Sequence, residues 1–250
     1  VEGFHGVAYE KPMKRIKEYI VVCCEVWKRE KGLSYAGQTV QVPLPAGQGT
    51  GMGKPLKLIN HPVRADIPVW WASLKDLSVE ATAELADGWL PVFFMPDKFE
   101  QVWGTALKKG LAKRSPSLKT LEISAGGLLA IDESLVGEAK DKVLDMARPN
   151  VALYVGGMGA RGKNFYNDIC RDYGYEQEAS EIQDLYLSGK KDEAARAVPR
   201  EMLELTNLVG PASYVRERVA AFRQAGVTML SVSPVGNDHV AALSALRSLI

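Results

Sequence analysis

The sequence predicts an α/β domain, because short apolar strands alternate with amphipathic helices along most of its length. The clearest unit is residues 67–94, IPVWWASLKDLSVEATAELADGWLPVFF, which has the pattern of strand, tight turn, helix and second strand. The same alternation resumes on both sides of a long helical segment. With 250 residues, of which 46% are hydrophobic and 24% charged, the chain has enough apolar material for a sizeable core.

The first strand of this unit is predicted over Ile67–Ala72, a short continuous apolar run typical of a strand buried on both faces. Ser73 is a candidate N-cap, and Asp76, three residues later, completes a capping-box pattern. We therefore expect a helix that begins near Leu74 and ends before a second strand over residues 89–94.

The turn between that strand and helix is a candidate cofactor site. The first N–H groups of a helix have no partner within the helix and lie at the positive end of its dipole, where a phosphate is stabilised. Lys75 favours an anion at this turn, whereas the carboxylate of Asp76 disfavours one. The same capping pattern also occurs in helices that bind nothing, so the turn alone does not decide between the two interpretations.

The remaining elements follow in chain order. Residues 32–66 are rich in glycine and proline and indicate a surface excursion, in which the glycines of QGTGMGKPLKL lack the spacing of a phosphate-binding fingerprint. Residues 150–206 are predicted to be a mostly helical insertion into a single domain that spans residues 1–250. Helices are predicted over residues 12–31, 97–113, 135–147, 166–173, 179–187, 192–197 and 212–224, and further strands over 121–131 and 227–235.

Composition also argues against several classes of function. The net charge is +1 and acidic residues alternate with basic ones, so we expect no nucleic-acid or anionic-lipid partner. The three histidines are far apart in sequence and predict no metal site, and no G-x-S-x-G nucleophile motif is present. Three cysteines without a C-x-x-C pair and the lack of a membrane-length apolar run predict a cytoplasmic protein.

Four segments of the sequence carry a family resemblance. They are, in chain order, GKPLKLINHPVRADIPV, ASLKDLSVEATAELADGWLP, ALYVGGMGARGKNFYND and LVGPASYVRERVAAFRQAGVTMLSVSPVG. Together they resemble the luciferase-like monooxygenase family, and in particular its branch of coenzyme F420-dependent oxidoreductases. The similarity runs through nearly all of the chain, and the combination of segments is far more specific than any one of them.

This resemblance implies a (β/α)8 TIM barrel of the bacterial luciferase type. The sequence offers four barrel strands, near residues 67–73, 89–94, 121–131 and 227–235. The opening VEGFHGVAYEKPMKRIKEYI resembles the middle of family members rather than their start. We therefore expect a partial barrel that lacks its N-terminal strands, and an association hazard at its open edges.

The resemblance further implies that the deazaflavin F420, or alternatively FMN, lies over the carboxyl ends of the strands. Its phosphate would be held at the turn after the first strand, by Ala72, Ser73, Leu74 and Lys75. Many relatives have Gly-Pro where this chain has Lys75 and Asp76, which leaves the closeness of the backbone to the phosphate open. Val92 and Phe93 are candidates for the substrate pocket, although packing in the core explains them as well.

The implied activity is hydride transfer between the deazaflavin and a small organic substrate. Trp70, Trp71, Val92 and Phe93 favour an apolar substrate, although the filling of the barrel explains all four equally well. The alternatives are an FMN-dependent monooxygenase of the same family and a non-catalytic fragment of such an enzyme. No residue of the sequence is identified as a catalytic acid or base. A full-length protein of this kind is expected to be a homo-oligomer.

Overall fold

The structure, a computed structural model, describes residues 2–250, in which parallel strands form the centre of an α/β fold. The strands are β1 (Tyr35–Ala36), β2 (Gln41–Val42), β3 (Trp70–Trp71), β4 (Gly88–Trp89), β5 (Glu122–Ala125), β6 (Leu128–Ile131), β7 (Leu208–Gly210), β8 (Met229–Leu230) and β9 (Ser233–Pro234). One sheet has the order β3-β4-β5-β8 and another the order β7-β6-β9, and all of their pairs are parallel. The predicted α/β class is therefore confirmed.

The helices cover these strands. They are α1 (Glu2–His5), α2 (Pro12–Lys28), α3 (Asp76–Leu85), α4 (Thr105–Lys113), α5 (Gly137–Leu144), α6 (Arg148–Ala152), α7 (Phe165–Asp172), α8 (Glu176–Leu187), α9 (Lys191–Arg196), α10 (Arg200–Thr206), α11 (Ala212–Gln224) and α12 (His239–Arg247). Single π turns precede α4 at Glu100–Gly104 and follow α6 at Leu153–Gly157, and a 3-10 turn joins α5 to α6 at Asp145–Ala147. Among residues 2–250, no helix is long and apolar enough to cross a bilayer.

The strand predicted over residues 121–131 is bent into two, β5 and β6, at Gly126 and Gly127. Gly126 has φ +151°, and a Cβ there would lie 2.3 Å from the carbonyl oxygen of Ser231. The neighbouring chain follows the same bend, because Ser231 donates to the carbonyl of Ala125 and Ser233 to that of Gly127. β8 and β9 are therefore the two halves of one predicted strand, and the two sheets are continuous through these bends.

Two predicted strands are much shorter than expected. Residues 67–73 and 89–94 each contribute only two residues to the sheet, as β3 and β4. Pro68, before β3, and Pro91, after β4, have no N–H group to donate to a neighbouring strand, which limits the pairing at those two ends. The segment after β4 also turns away from the sheet at Phe93, whose φ of +51° is left-handed.

The short strand β7 was not predicted. All three of its residues are buried, and it pairs with β6 through Leu129, Ala130 and Ile131. Its sequence, LVG, lies between helix α10 and Pro211 and is too short for the periodicity that identifies longer strands.

The core lies between the sheet and its helices, and buried aromatic rings stand at its centre. Trp103 meets Trp89 edge to face at 5.3 Å between ring centroids and stacks with Phe94 at 6.0 Å. A smaller cluster packs α2 against α3, where Met13, Ile16 and Ile20 cover Trp71 and its buried neighbours. Because edge-to-face and offset-stacked rings add to the free energy gained by burial, the contacts of Trp103 with Trp89 and Phe94 hold β4 against the π turn that precedes α4.

The excursion over residues 32–66 contains the antiparallel pair β1 and β2 and is anchored to α2 by one carboxylate. Glu18 accepts hydrogen bonds from the backbone N–H groups of Gln38, Thr39 and Val40, each at 2.9 Å, and from the Thr39 hydroxyl at 2.6 Å. The Thr39 hydroxyl, together with the backbone donors and against the opposing effect of burial, lowers the pKa of Glu18 to about 2.

Candidate functional site

Two loops lie at the carboxyl ends of the adjacent parallel strands β3 and β4. The first, Ala72–Lys75, leads into α3, and the second, Leu90–Met95, leads toward α4. Because the two strands are parallel neighbours, their carboxyl ends share one edge of the sheet, which is where open α/β sheets and barrels bind their ligands. The site residues predicted from the sequence therefore lie on two adjacent loops at the same edge of the sheet.

The structure corrects the predicted role of Ser73 as an N-cap. Helix α3 begins at Asp76 with Lys75 as its N-cap, and Ser78 donates its hydroxyl to the Lys75 carbonyl. Ser73 is buried and its hydroxyl lies 2.8 Å from that of Thr82. Since the Thr82 hydroxyl donates to the carbonyl of Ser78, Ser73 must be the donor of this pair. The Ser73 proton is thus used inside the fold.

Two indoles fix the path of the turn. Trp89 donates its Nε1–H to the carbonyl of Ser73 at 3.0 Å, and Trp103 donates to the carbonyl of Leu74 at 2.9 Å. Both carbonyls therefore face the core. Within residues 2–250, the backbone N–H groups of Leu74, Asp76 and Leu77 have no acceptor, as expected for the first turn of a helix. Ala72, Lys75, Asp76 and Leu77 are exposed. The solvent side of the turn therefore presents backbone N–H groups that are free to donate hydrogen bonds.

Lys75, the predicted counter-charge, is paired with a carboxylate of the insertion. Its Nζ lies 2.9 Å from Oδ2 of Asp168 on α7, and both side chains are partly exposed. Asp172 lies nearby, and burial raises its pKa, with Lys75 opposing the shift and Asp168 and Asp76 reinforcing it. The turn is therefore bordered by carboxylates, so an incoming phosphate must compete with Asp168 for Lys75.

The two residues predicted for the substrate pocket, Val92 and Phe93, are both half-buried. The carbonyl of Phe93 accepts a hydrogen bond from the buried hydroxyl of Tyr173 at 3.0 Å, and the same hydroxyl accepts from the N–H of Met95 at 3.2 Å. The Phe93 ring meets Tyr154 edge to face at 5.8 Å. Its assignment to a substrate pocket stays a prediction.

Helix α7 of the insertion joins the two loops. Asp168 contacts the first loop through Lys75, and Tyr166, two residues earlier, contacts the second through Phe93, with 6.4 Å between ring centroids. Asn164 caps α7 by accepting from the N–H groups of Tyr166 and Asn167, and it donates to the carbonyls of Tyr154 and Val155. Sequence reasoning missed Tyr166 and Asp168, because each meets its partner in the loops across more than 70 positions of the chain.

The residues that the structure describes contain no group of three or more His, Cys, Asp or Glu side chains placed to hold a metal ion. A surface cavity of about 490 Å³ lies between α8 and α9, where it is lined by Glu181, Leu185, Glu193, Arg196 and Ala197. None of these residues belongs to the two loops at the strand ends, so this cavity is separate from the candidate site.

Comparison with known proteins decides the family. The model of the family described as luciferase-like monooxygenase matches residues 1–229. The chain belongs to the luciferase-like monooxygenase family. The predicted resemblance is therefore confirmed.

Two curated relatives extend this result. A Mycobacterium tuberculosis protein named "Putative coenzyme F420-dependent oxidoreductase Rv3520c" is 38% identical over 98% of this chain and 70% of its own length. The 5,10-methylenetetrahydromethanopterin reductase of Archaeoglobus fulgidus is 25% identical over 93% of this chain. The chain spans only 64% of the length of this second relative.

A solved structure confirms the fold. The coenzyme F420-dependent tetrahydromethanopterin reductase from Methanopyrus kandleri matches 96% of this chain with a TM-score of 0.67 and 21% sequence identity. The match covers 62% of that protein. The predicted luciferase-type α/β barrel fold is thus confirmed for the part of the fold that this chain spans.

Proposed function

We propose that the protein is an oxidoreductase that uses the deazaflavin coenzyme F420 for hydride transfer to or from a small organic substrate. The observation that carries the proposal is the 38% identity, over 98% of this chain, to a protein named as a coenzyme F420-dependent oxidoreductase. This identity supports a common fold and a common coenzyme, whereas the more distant solved structures support the fold alone.

The turn after β3 offers the donors that a phosphate of this coenzyme needs. The N–H groups of Leu74, Asp76 and Leu77 have no acceptor within residues 2–250 and lie at the start of α3, where the helix dipole favours an anion. Lys75 adds a positive charge once it releases Asp168. The Ser73 hydroxyl is left out of the proposed site because it donates to Thr82.

The coenzyme would supply the hydride chemistry, and this chain's residues would bind and orient it. The indole donors Trp89 and Trp103 hold the turn rigidly against the core, so that its free N–H groups keep one direction. Helix α7 contacts both loops, through Asp168 and Tyr166, and would limit the access of water to the reacting groups.

Fluorescence titration of the protein with F420 and with FMN tests this proposal. We expect tighter binding of F420. Tighter binding of FMN, with the reduced flavin consuming oxygen, would contradict the F420 assignment and identify the FMN-dependent monooxygenase alternative.

Ser73→Ala serves as a matched control for the turn. Because its hydroxyl bonds only within the fold, we expect this variant to lose about 0.5–1.5 kcal/mol of stability and to keep its F420 affinity. A large loss of F420 affinity without a loss of stability would mean that the Ser73 hydroxyl contacts the phosphate after all.

A further inference from the structure

Three aromatic rings form a corner beside the candidate cofactor turn. The centroids of Tyr154 and Tyr166 are 4.7 Å apart at an interplanar angle of 88°. Phe93 meets Tyr154 at 5.8 Å and 87°, and Tyr166 at 6.4 Å and 71°. The three rings are thus close to mutually perpendicular. A flat guest that stacks on one of them would meet the other two edge to face, which are the two geometries that aromatic rings prefer.

The two tyrosines of this corner differ from the structural tyrosines nearby. The hydroxyl of Tyr173 is buried and bonds to Phe93 and Met95, and that of Tyr175 donates to Glu201 at 2.5 Å. Tyr154 and Tyr166 are only half-buried, and within residues 2–250 their hydroxyls have no hydrogen-bond partner. Partial burial raises the pKa of Tyr166, and the neighbouring Tyr154 adds to the shift.

The backbone is built to hold these rings in place. Phe93 has φ +51°, a left-handed conformation that costs free energy for a bulky residue and is characteristic of functional sites. The buried side chain of Asn164 bonds at once to the Tyr154 carbonyl and the Tyr166 N–H, and so fixes one tyrosine relative to the other. The corner is therefore positioned from both the β4 loop and the insertion.

We propose that Phe93, Tyr154 and Tyr166 bind the planar, unsaturated part of the organic substrate and select for it over saturated compounds of the same size. This inference rests on the proposed function, because it places the corner beside the coenzyme. Phe93 lies in the loop after β4, and β4 is the parallel neighbour of β3, which leads into the phosphate turn.

A cationic guest fits this corner less well. An aromatic cage for an ammonium group needs rings that stand apart around a central space, with the cation over their faces. Here the rings of Tyr154 and Tyr166 are in direct contact at 4.7 Å, so no cation fits between them. The geometry points to a flat neutral group that lies along the outside of the corner.

Calorimetric titration of the protein with 2-acetylnaphthalene and with its saturated counterpart 2-acetyldecalin tests the proposal. We expect the aromatic ketone to bind about three- to tenfold more tightly, the ratio that one or two favourable ring contacts give. Tyr154→Leu and Tyr166→Leu should each reduce this preference, Tyr166→Phe should keep it, and Tyr19→Leu on the exposed face of α2 is the matched control.

Equal binding of the two ketones by the wild-type protein would overturn the proposal, as would a preference that survives both leucine variants. Should the leucine variants fail to fold, NOEs between the naphthalene protons and the rings of Tyr154 or Tyr166 in the wild-type protein decide the matter. The presence of these NOEs supports the proposal that the three rings bind the substrate, and their absence overturns it. Since these titrations use no coenzyme, their failure is separate from a failure of the F420 titration.

Discussion

The insertion at residues 150–206 and the excursion at residues 32–66 both interrupt the βα alternation, but they are held to the molecule in different ways. The insertion contributes many fully buried side chains to the main core, among them Ile182, Met202 and Leu203. In the excursion only Val40 is a buried apolar residue, and Ile59 is 96% exposed. The insertion is thus part of the core, whereas the excursion is attached through polar contacts, of which the four hydrogen bonds to Glu18 form the largest group on one side chain.

The difference explains why the insertion can help to form a site. A residue that contacts a ligand must keep its position, and close packing provides that rigidity. Asp168 and Tyr166 stand on α7, which is fixed in the fold by its buried residues Asn167, Ile169 and Cys170. The excursion offers no comparable support, so its glycine-rich stretch is the less suitable place for a binding site.

The largest expected effect comes from matched truncations in the two segments. Ile182 is fully buried, so Ile182→Ala should lower the free energy of unfolding by about 2–5 kcal/mol through lost burial and a cavity. Ile59→Ala makes the same chemical change at an exposed position and should change the free energy of unfolding by less than about 0.5 kcal/mol. Denaturant unfolding of both variants measures this contrast, and equal losses would contradict the comparison.

A smaller effect is expected from two hydroxyl deletions within the insertion. Tyr173→Phe removes the partner of the Phe93 carbonyl and the Met95 N–H, and should lower the free energy of unfolding by about 1–3 kcal/mol. Tyr166→Phe removes a hydroxyl that has no partner within residues 2–250 and should be nearly neutral. If thermal unfolding shows Tyr166→Phe to be the more harmful variant, Tyr166 is a structural residue and not part of a site.

The smallest effect on global stability is expected from Glu18→Gln. The amide cannot replace a carboxylate that accepts four hydrogen bonds, so the loosening should be local to the excursion. Hydrogen exchange at Gln38, Thr39 and Val40 should accelerate while exchange in the insertion stays unchanged. Glu25→Gln on the same helix, which loses only an exposed pair with Lys28, is the control. Unchanged exchange in Glu18→Gln would mean that other contacts hold the excursion.

The pKa of Glu18 gives the same anchor a pH dependence. Because its pKa in the folded protein is lowered to about 2 from 4.5, its contribution to stability is complete above pH 4.5 and is lost as the pH falls toward 2. Carbon NMR of the Glu18 carboxyl should show a titration midpoint well below 4.5. A titration midpoint near 4.5 would contradict the claim that Glu18 anchors the excursion through its hydrogen bonds.

The local sequence pattern predicted the helices and strands more accurately than it predicted the contacts between them. The strands near residues 70, 89, 121–131 and 229 were found because apolar runs are local signals. The role of Ser73 was misjudged because the capping pattern is also local, whereas its true partner, Thr82, becomes available only once α3 packs against the turn. Lys75 and Asp168 are 93 residues apart, and the local sequence around either residue does not predict their contact.

The central claim is that the start of α3 holds the coenzyme's phosphate through backbone N–H groups, and one pair of variants tests it directly. Asp76→Pro removes both the carboxylate and the N–H, and Asp76→Ala removes the carboxylate alone. Proline is compatible with the first helical position, and Lys75 before it already has the extended conformation that proline requires. The account predicts that Asp76→Pro binds F420 about tenfold more weakly than Asp76→Ala, because a hydrogen bond to a charged group is lost. Equal F420 affinity of the two folded variants would contradict it.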